Sequence, residues 1–512
     1  MNRRARAART VGRVLVVGLV GLSPLLWAGV AHAALPPGCT GTATAGPDVI
    51  TCGDGVAAGQ VIDSLGGDDQ ITVHGKVAGQ IDAGDGDDTV TVTGKSADVV
   101  VERDGVSGAV RGGAGDDTLT VTGGAGTGTV NISGGQAVAE GGLVHGGDGD
   151  DTLTLAGGSG SPDVGAATAA GDGVWGEVRG GAGTDGITVR GGNGGPGADG
   201  GDGVVGVPGV FTGAVHGGDP GLDPLLDAGD GADTIEVFGG DGGVGASGGE
   251  SGSSGSGGSA VAGMVSGGAR GDIITATGGD GAANSGIGNA GFAGFAVAPA
   301  GVVAGGDPVP GLLDFEAGDT LTLTGGNGGT NSSSIFPDRP GGTALAGTVR
   351  GDGGDDRLSV TGGNGSSSSE AGPAVVGFFD VPSDIPDTVE GGAGADSIAL
   401  SLGEGTTDNV YAVQGAGIRG GGQMPDGDDT LTVGTAGQPA RGTSLNARFA
   451  GDAGDDTLTL HGRALMAGVD GGDGDDTCGR ASSGADFDNC ETLTDQDTLH
   501  RVRQVPWPPA RP

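Results

Sequence analysis

Apolar residues and threonines alternate in short blocks along most of the chain. In the block DDTLTVTGG, Leu119 and Val121 alternate with Thr118, Thr120 and Thr122. Alternation with a period of two, rich in β-branched residues, predicts a β-strand with one buried face. The position two residues after the aspartate that directly precedes each predicted strand forms an aliphatic column in eleven copies: Val90, Leu119, Leu153, Ile187, Ile235, Ile274, Leu321, Leu358, Ile398, Leu431 and Leu458. A disordered chain would not keep such a column.

A second predicted strand precedes each block. It reads GAVRGG at 108–113, GLVHGG at 142–147 and GEVRGG at 176–181. Its apolar position is occupied by Val110, Val144, Val178, Val215, Val265 and Val349. One unit is therefore a strand, a variable loop, a second strand and a glycine-rich turn that leads into the next unit.

The turn between units has the pattern GGxGxD. Five copies match without error and end at Asp117, Asp151, Asp185, Asp396 and Asp476. Six more have one or two glycines changed and end at Asp69, Asp88, Asp233, Asp356, Asp429 and Asp456. Two eroded copies end at Asp272 and Asp319. Repetition of this kind predicts one supersecondary unit that stacks on its neighbours.

The spacing of the turns predicts the size of one coil. Asp69 and Asp88 are 19 residues apart, whereas Asp185 and Asp233 are 48 apart. We expect an all-β fold, a parallel β-roll or β-solenoid of about 13 coils with glycine-rich loop insertions on one edge. The insertions are either flexible loops or further glycine-rich turns. The apolar ones, at 291–306 and 373–382, are interpreted as padding rather than as an exposed adhesive patch.

Composition and charge narrow the possible partners. The chain has 125 glycines among 512 residues and a formal net charge of −42. Glycine without a strict three-residue period excludes collagen. So many carboxylates disfavour direct binding to nucleic acid or an anionic membrane and favour binding of cations. The alternative is that the acidity only keeps the protein soluble.

The first residues resemble an export signal. MNRRARAARTVGR carries five arginines, and an apolar run at 14–30 leads to Ala31-His32-Ala33, a small-x-small cleavage site. Cleavage there would remove five positive charges and change the formal charge from −42 to about −47. A membrane anchor is the alternative, but the run is short, and no other segment is long and apolar enough to span a bilayer. We predict a secreted, extracellular protein.

Four cysteines lie at the two ends of the repeats as Cys39 with Cys52 and Cys478 with Cys490. In a disulfide-permissive compartment, pairing of near neighbours is the simplest of three connectivities. Zinc binding is the alternative, disfavoured because there is no CxxC motif. The predicted organisation is a signal peptide (1–33), an N-terminal cap with a disulfide (34–62), the repeats (63–478), and a C-terminal cap with a Pro-rich tail (479–512).

The turn residues suit a hard cation. Glycine adopts positive φ without steric cost and leaves its carbonyl unobstructed. Ca²⁺ takes six to eight oxygen ligands from carboxylates and backbone carbonyls. An aspartate at the end of the turn, directly before the strand, can place its carboxylate beside those carbonyls.

These copies, GGAGDDTLT, GGDGDDTLT and GGDGDDTC, resemble the nonapeptide GGxGxDxUx of the RTX, or hemolysin-type, calcium-binding repeat family. The resemblance covers roughly residues 63–478. It implies a parallel β-roll in which several Ca²⁺ ions lie between successive turns. It also implies carboxylate ligands at Asp88, Asp117, Asp151, Asp185, Asp356, Asp396, Asp429, Asp456 and Asp476, with Asp69 and Asp233 fitting less well.

The chain departs from that family in three ways. A clear motif occurs about once per coil instead of every nine residues, which predicts one column of ions rather than two. Arg270 replaces a turn glycine before Asp272, and the turn before Asp319 lacks its first two glycines, so neither aspartate is included in the predicted ligand set. The signal is N-terminal, whereas typical members carry a C-terminal one.

Other polar columns have competing interpretations. The aspartates that precede the motif aspartate, such as Asp116 and Asp150, are interpreted as solvated charge, with a second ligand shell as the alternative. His145 and His216, at equivalent positions beside arginines, are interpreted as a solvated column rather than a zinc site. The outward threonines are interpreted as ordinary exposed strand residues, although a flat threonine array can bind ordered water or sugar.

No catalytic pattern accompanies the repeats. The sequence has no HExxH, no GxSxG and no paired glutamates typical of glycosidases. We predict a non-catalytic, secreted calcium-ion-binding solenoid. One alternative is a calcium-independent adhesive or structural solenoid whose partner is a cell-surface polysaccharide or protein. A polysaccharide-active β-helix enzyme is the less favoured alternative.

Overall fold

The computed structural model describes residues 33–495 except 97–102, 128–132, 164–167, 206–213, 219–230, 246–252, 269, 286–287, 300, 307–317, 333–335, 367, 378–386, 406–410, 422–426, 435–441, 463, 466 and 481–484. Residues 1–32 of the predicted signal peptide and the tail RVRQVPWPPARP lie outside this part. The described residues form β-strands and no helix. The predicted all-β class is therefore confirmed.

In chain order the strands are β1 Cys39–Thr40, β2 Val49–Cys52, β3 Val61–Asp63, β4 Gln70–His74, β5 Gln80–Asp85, β6 Thr89–Thr93, β7 Ala109–Ala114, β8 Thr118–Thr122, β9 Leu143–Asp148, β10 Thr152–Ala156, β11 Glu177–Ala182, β12 Gly186–Arg190, β13 Ala214–Gly218, β14 Thr234–Phe238, β15 Met264–Gly268, β16 Ile273–Thr277, β17 Val302–Gly306, β18 Thr320–Thr324, β19 Thr348–Gly353, β20 Arg357–Thr361, β21 Val375–Val376, β22 Asp387–Ala393, β23 Ser397–Ser401, β24 Tyr411–Gln414, β25 Gly417–Arg419, β26 Thr430–Val433, β27 Gly442–Leu445, β28 Arg448–Ala453, β29 Thr457–Leu460, β30 Ala464–Leu465, β31 Ala467–Asp473, β32 Thr477–Arg480, β33 Ala485–Asp488 and β34 Thr492–Asp495.

The first sheet contains the strands that follow the glycine–aspartate turns. Its 16 strands have the order β1-β2-β4-β6-β8-β10-β12-β14-β16-β18-β20-β23-β26-β29-β32-β34. Each pair is parallel except β1 with β2. Leu119 pairs with Val90 on one side and Leu153 on the other, and all three are buried. The predicted aliphatic column therefore stacks from coil to coil.

The second sheet contains the strands that precede the turns. Its 14 strands have the order β3-β5-β7-β9-β11-β13-β15-β17-β19-β22-β25-β28-β31-β33. Val110 lies between Ile81 and Val144 in register, and its side chain is fully buried. The inward columns of the two sheets form one continuous hydrophobic core. Two long parallel sheets whose strands alternate along the chain are typical of a β-solenoid.

A third buried column was not predicted. Single residues between the two strands of a coil form parallel bridges with their counterparts in the next coil: Val56, Val77, Val106, Val138, Val174, Val204, Val261, Val297, Leu345 and Val375. At the C-terminal end this column continues as a four-stranded sheet, β21-β24-β27-β30. A bridge of one residue leaves no period-two pattern in the sequence, which is why alternation did not indicate it.

The glycine-rich insertions hydrogen-bond to one another across coils. The N–H of Gly192 donates to the Gly171 carbonyl over 2.9 Å, and the N–H of Gly240 donates to the Gly201 carbonyl over 2.8 Å. An added Cβ at Gly240 would lie less than 3.0 Å from the Gly192 carbonyl oxygen. Close backbone approach therefore requires glycine at such positions. Within the apolar insertions, Val297 and Val375 are buried, whereas Phe292 is exposed.

Both predicted disulfides are present at the ends of the repeats. Cys39 pairs with Cys52, and Cys478 pairs with Cys490. Both Cys52 and Cys478 are buried in the first sheet, but in different inward columns: Cys478 pairs in register with Leu458, and Cys52 pairs with Val73.

Candidate metal site: the aspartate ladder

The motif aspartates lie inside the turn edge of the solenoid rather than on its surface. Each ends a glycine-rich turn and directly precedes a strand of the first sheet. All are at most 3% exposed: Asp69, Asp88, Asp117, Asp151, Asp185, Asp233, Asp272, Asp319, Asp356, Asp396, Asp429, Asp456 and Asp476. Aspartate is rarely buried without a partner, so the surroundings of these carboxylates decide what the column does.

One carboxylate oxygen of each motif aspartate joins successive coils. Asp117 Oδ1 accepts a hydrogen bond from the N–H of Asp88 over 2.8 Å, and Asp151 Oδ1 accepts one from the N–H of Asp117 over 2.8 Å. The same bond recurs from Asp48 to Asp476 without a break. We call this column the aspartate ladder; its members are the 13 motif aspartates.

The ladder includes positions that sequence reasoning missed. Asp272 and Asp319 occupy it like the others despite their eroded turns. Arg270, which stands in place of a turn glycine, adopts a φ of 90°. Asp48 begins the ladder, and Glu491 ends it by accepting from the N–H of Asp476. The sequence did indicate Asp48 and Glu491, because each directly precedes a strand and is followed two positions later by an aliphatic residue, in DVI and ETL. Neither acidic residue has a glycine-rich turn before it.

The second carboxylate oxygen, Oδ2, is buried beside the turn. In Asp88, Asp117, Asp151, Asp185 and Asp476 it has no hydrogen-bond partner among the described residues. An added Cβ at Gly112 would lie less than 3.0 Å from both Asp117 Oδ2 and the Gly146 carbonyl oxygen of the next coil. Two oxygens, one of them ionisable, therefore converge on the space that the absent side chain leaves open.

The three glycines of the motif have different functions. Gly112 is required for space, because Asp117 and the next coil approach its Cα. Gly113 and Gly115 both have a φ of 129°, a conformation that only glycine adopts readily. The pattern GGxGxD thus encodes three close approaches, two of them at left-handed backbone positions.

The ladder carries a surplus of negative charge. Burial raises the pKa of Asp88 to about 6, that of Asp117 to about 7 and that of Asp151 to about 8. A backbone hydrogen bond lowers each of these pKa values, and neighbouring carboxylates raise them further. None of these three forms an ion pair with a lysine, arginine or histidine in the described part of the chain. A buried, unpaired carboxylate is costly unless a proton or a cation neutralises it.

The aspartates that precede the motif form a second, exposed ladder with the opposite direction. Asp87 Oδ1 accepts from the N–H of Asp116 over 3.0 Å, and Asp116 Oδ1 accepts from the N–H of Asp150 over 3.0 Å. These side chains are exposed, as the solvated interpretation expects. Each of these exposed aspartates accepts a hydrogen bond from the following coil, whereas each motif aspartate accepts one from the preceding coil. Hydrogen bonds therefore run between neighbouring turns in both directions.

The donor set fits a hard cation. No group of three or more His, Cys, Asp or Glu side chains in the described residues is arranged to hold a metal ion. A bound ion would therefore take most of its ligands from backbone carbonyls, with one carboxylate from each adjacent turn. Oxygen-only donor sets suit Ca²⁺, whereas zinc prefers nitrogen and sulfur.

The side chains of Arg111, His145 and Arg179 are half-buried and lie on the outward side of the second sheet. Arg111, His145, Arg179 and His216 are consecutive partners in β7, β9, β11 and β13. Arg179 forms an ion pair with Glu177 over 2.6 Å. The column is therefore separate from the aspartate ladder.

No family model, no curated protein and no solved structure matches this chain. The likeness to the RTX repeat is accordingly one of motif. No helix in the described ranges could cross a membrane.

Proposed function

We propose that the protein is a secreted, non-catalytic calcium-binding solenoid of about 13 coils, with its glycine-rich insertions on one edge, whose GGxGxD turns bind Ca²⁺. The observation that carries the proposal is the buried Oδ2 of aspartates such as Asp117, which lies beside a carbonyl of the next coil and has no hydrogen-bond partner in the described part of the chain. A cation is the simplest neutraliser of an uncompensated carboxylate column. The proposed ligands are Asp69, Asp88, Asp117, Asp151, Asp185, Asp233, Asp356, Asp396, Asp429, Asp456 and Asp476.

Charge links ion binding to folding in this proposal. With the signal removed, the chain would carry a formal charge of about −47. Repulsion among carboxylates would keep it loose where free Ca²⁺ is scarce, and ion binding outside the cell would then contribute directly to folding. Extracellular calcium modules bind at roughly 10⁻⁴–10⁻³ M. The two disulfides are compatible with an extracellular location.

Circular dichroism and thermal unfolding during a Ca²⁺ titration, with Mg²⁺ as the matched control, test the proposal. We expect Ca²⁺ in the millimolar range to raise the β signal and the unfolding temperature, and Mg²⁺ to have little effect because it requires a stricter octahedral geometry. Equal folding and equal Tm in chelator and in Ca²⁺ would reject calcium binding.

A second candidate is a calcium-independent structural or adhesive solenoid. The observation in its favour is the continuous hydrophobic core, which is formed by apolar side chains through both sheets. In that case protons would neutralise the ladder, and the protein would attach to a cell-surface polysaccharide or protein equally well in chelator. The same titration separates the two candidates, because only the first predicts a calcium-dependent Tm.

A further inference from the structure

The outward side of the first sheet carries threonines in register. Thr91, Thr120 and Thr154 are direct partners in β6, β8 and β10. We define the threonine face as the outward residues of β4, β6, β8, β10 and β12, which are Gln70, Thr72, His74, Thr89, Thr91, Thr93, Thr118, Thr120, Thr122, Thr152, Thr154, Ala156, Gly186, Thr188 and Arg190. Ten of these 15 residues are threonine.

The threonine face is a regular two-dimensional lattice. The strands pair in parallel without any shift of register from β4 to β12. Parallel strands lie about 4.8 Å apart, and alternate residues within a strand are roughly 6.6 Å apart. Hydroxyl and methyl groups therefore repeat at constant intervals in both directions.

The hydroxyls of this face are available to an external partner. Those of Thr91, Thr120 and Thr154 form no hydrogen bond to another described residue. Thr91 and Thr120 are half-exposed and Thr154 is exposed, and each is flanked by the equivalent threonine of the adjacent coils. β-Branching restricts their χ1 angle, so the array is ordered before any partner arrives and little side-chain entropy is lost on binding.

The charge of the face indicates a neutral partner. Arg190 is its one formally charged residue, although the whole chain has 65 acidic residues. A polyanion or polycation would find no complementary charge there. The face also contains no aromatic side chain, the group on which proteins usually stack sugar rings; the nearest in register is Phe238 of β14, which is covered by the Arg190 guanidinium at 3.9 Å.

We infer that the threonine face binds ordered water at an ice surface. Ice is an uncharged, flat partner whose hydrogen-bonding oxygens repeat at intervals of a few ångströms in two dimensions. The hydroxyls would take positions in that oxygen lattice, and the γ-methyl groups would order the water between them. This inference is independent of the calcium proposal, because the face lies on the sheet and not at the turns.

Partition of fluorescently labelled protein into slowly growing ice, measured in Ca²⁺-containing buffer, tests the inference. We expect the protein to be incorporated and Thr120→Lys to reduce incorporation at least about tenfold, equivalent to about 1.4 kcal/mol. The matched control is Thr348→Lys, a half-exposed threonine on β19 of the second sheet, which should behave like the unchanged protein. Thr91→Lys provides a second face variant, and circular dichroism selects the variants that fold.

Two results would overturn the inference. One is exclusion of the unchanged protein from ice, with or without binding to an insoluble neutral glucan such as cellulose. The other is equal incorporation of the folded Thr120→Lys, Thr91→Lys and Thr348→Lys variants.

Discussion

Asp151 accepts a hydrogen bond at Oδ1 from the backbone N–H of Asp117, 34 residues earlier, while its buried Oδ2 has no hydrogen-bond partner among the residues that the structure describes. One oxygen of the carboxylate thus fixes the stacking of two coils, and the other is left to be neutralised. The same side chain has a structural function through the first oxygen and a proposed ion-binding function through the second.

The first prediction concerns pH in the absence of metal. Burial raises the pKa of Asp117 to about 7 and that of Asp151 to about 8, from an ordinary value of 3.8. The folded state therefore binds more protons than the unfolded state, so this stability is complete below pH 4 and is lost as the pH rises through 7 to 8. Thermal unfolding in chelator should show a Tm that decreases between pH 5 and pH 8.

Calcium should oppose that trend. Ca²⁺ binds the deprotonated carboxylate, so the increase in Tm that it causes should grow with pH over the same range. A Tm in chelator that rises from pH 5 to pH 8 would contradict the pKa values of the ladder.

The second prediction compares the two ladders. Asp151→Asn keeps the shape and the Oδ1 acceptor but removes a buried charge, so it should preserve or increase Tm in chelator at pH 8. In Ca²⁺ the same variant should lose part of the calcium-dependent gain, because a carboxylate ligand is missing. Asp150→Asn, one residue earlier and exposed, is the matched control and should change both quantities little.

The decisive readout for that pair is the sign of the change in the two buffers. If Asp151→Asn destabilised the protein equally in chelator and in Ca²⁺, the carboxylate would have only its hydrogen-bonding function.

The third prediction concerns the first glycine of the motif. Gly112→Ala would place a methyl group less than 3.0 Å from Asp117 Oδ2 and from the Gly146 carbonyl. Overpacking of this kind typically costs about 1–3 kcal/mol. Gly186→Ala is the control, because the nearest atom to its added Cβ would be 3.9 Å away. Urea unfolding should show a loss of stability for Gly112→Ala only; equal losses would mean that the turn relaxes freely.

The fourth prediction concerns the N-terminal disulfide. Cys39 and Cys52 are 13 residues apart, and closing a loop of that size contributes about 3 kcal/mol in the chain-entropy model. The double variant Cys39→Ala with Cys52→Val should therefore lose stability. Because each coil of a solenoid contacts mainly its neighbours, the loss should stay near the end.

Hydrogen exchange measured by mass spectrometry can locate that effect. We expect faster exchange in β2 and β4 and unchanged exchange in β18, which serves as an internal control. Uniformly faster exchange would mean that the whole solenoid unfolds as one cooperative unit.

Local patterns in the sequence were sufficient to predict the strands of both sheets, the buried aliphatic column and the disulfide pairing. Alternation reports which side of a strand is buried, as at Leu119 and Val121, and near-neighbour cysteines leave a simple pairing. The position of the motif aspartate at the end of its turn was equally evident, because GGxGxD is contiguous.

Contacts between coils depended on the tertiary structure. The partner of Asp151 Oδ1 is 34 residues away, and for Asp233 Oδ1 the corresponding separation is 48, so no fixed period relates them. The Val106 column and the bonds between glycines such as Gly201 and Gly240 likewise form only when insertions of unequal length are brought side by side. The sequence of one segment determines its own backbone conformation and its alternation of buried and exposed positions. Which two segments come into contact depends on how the residues between them pack.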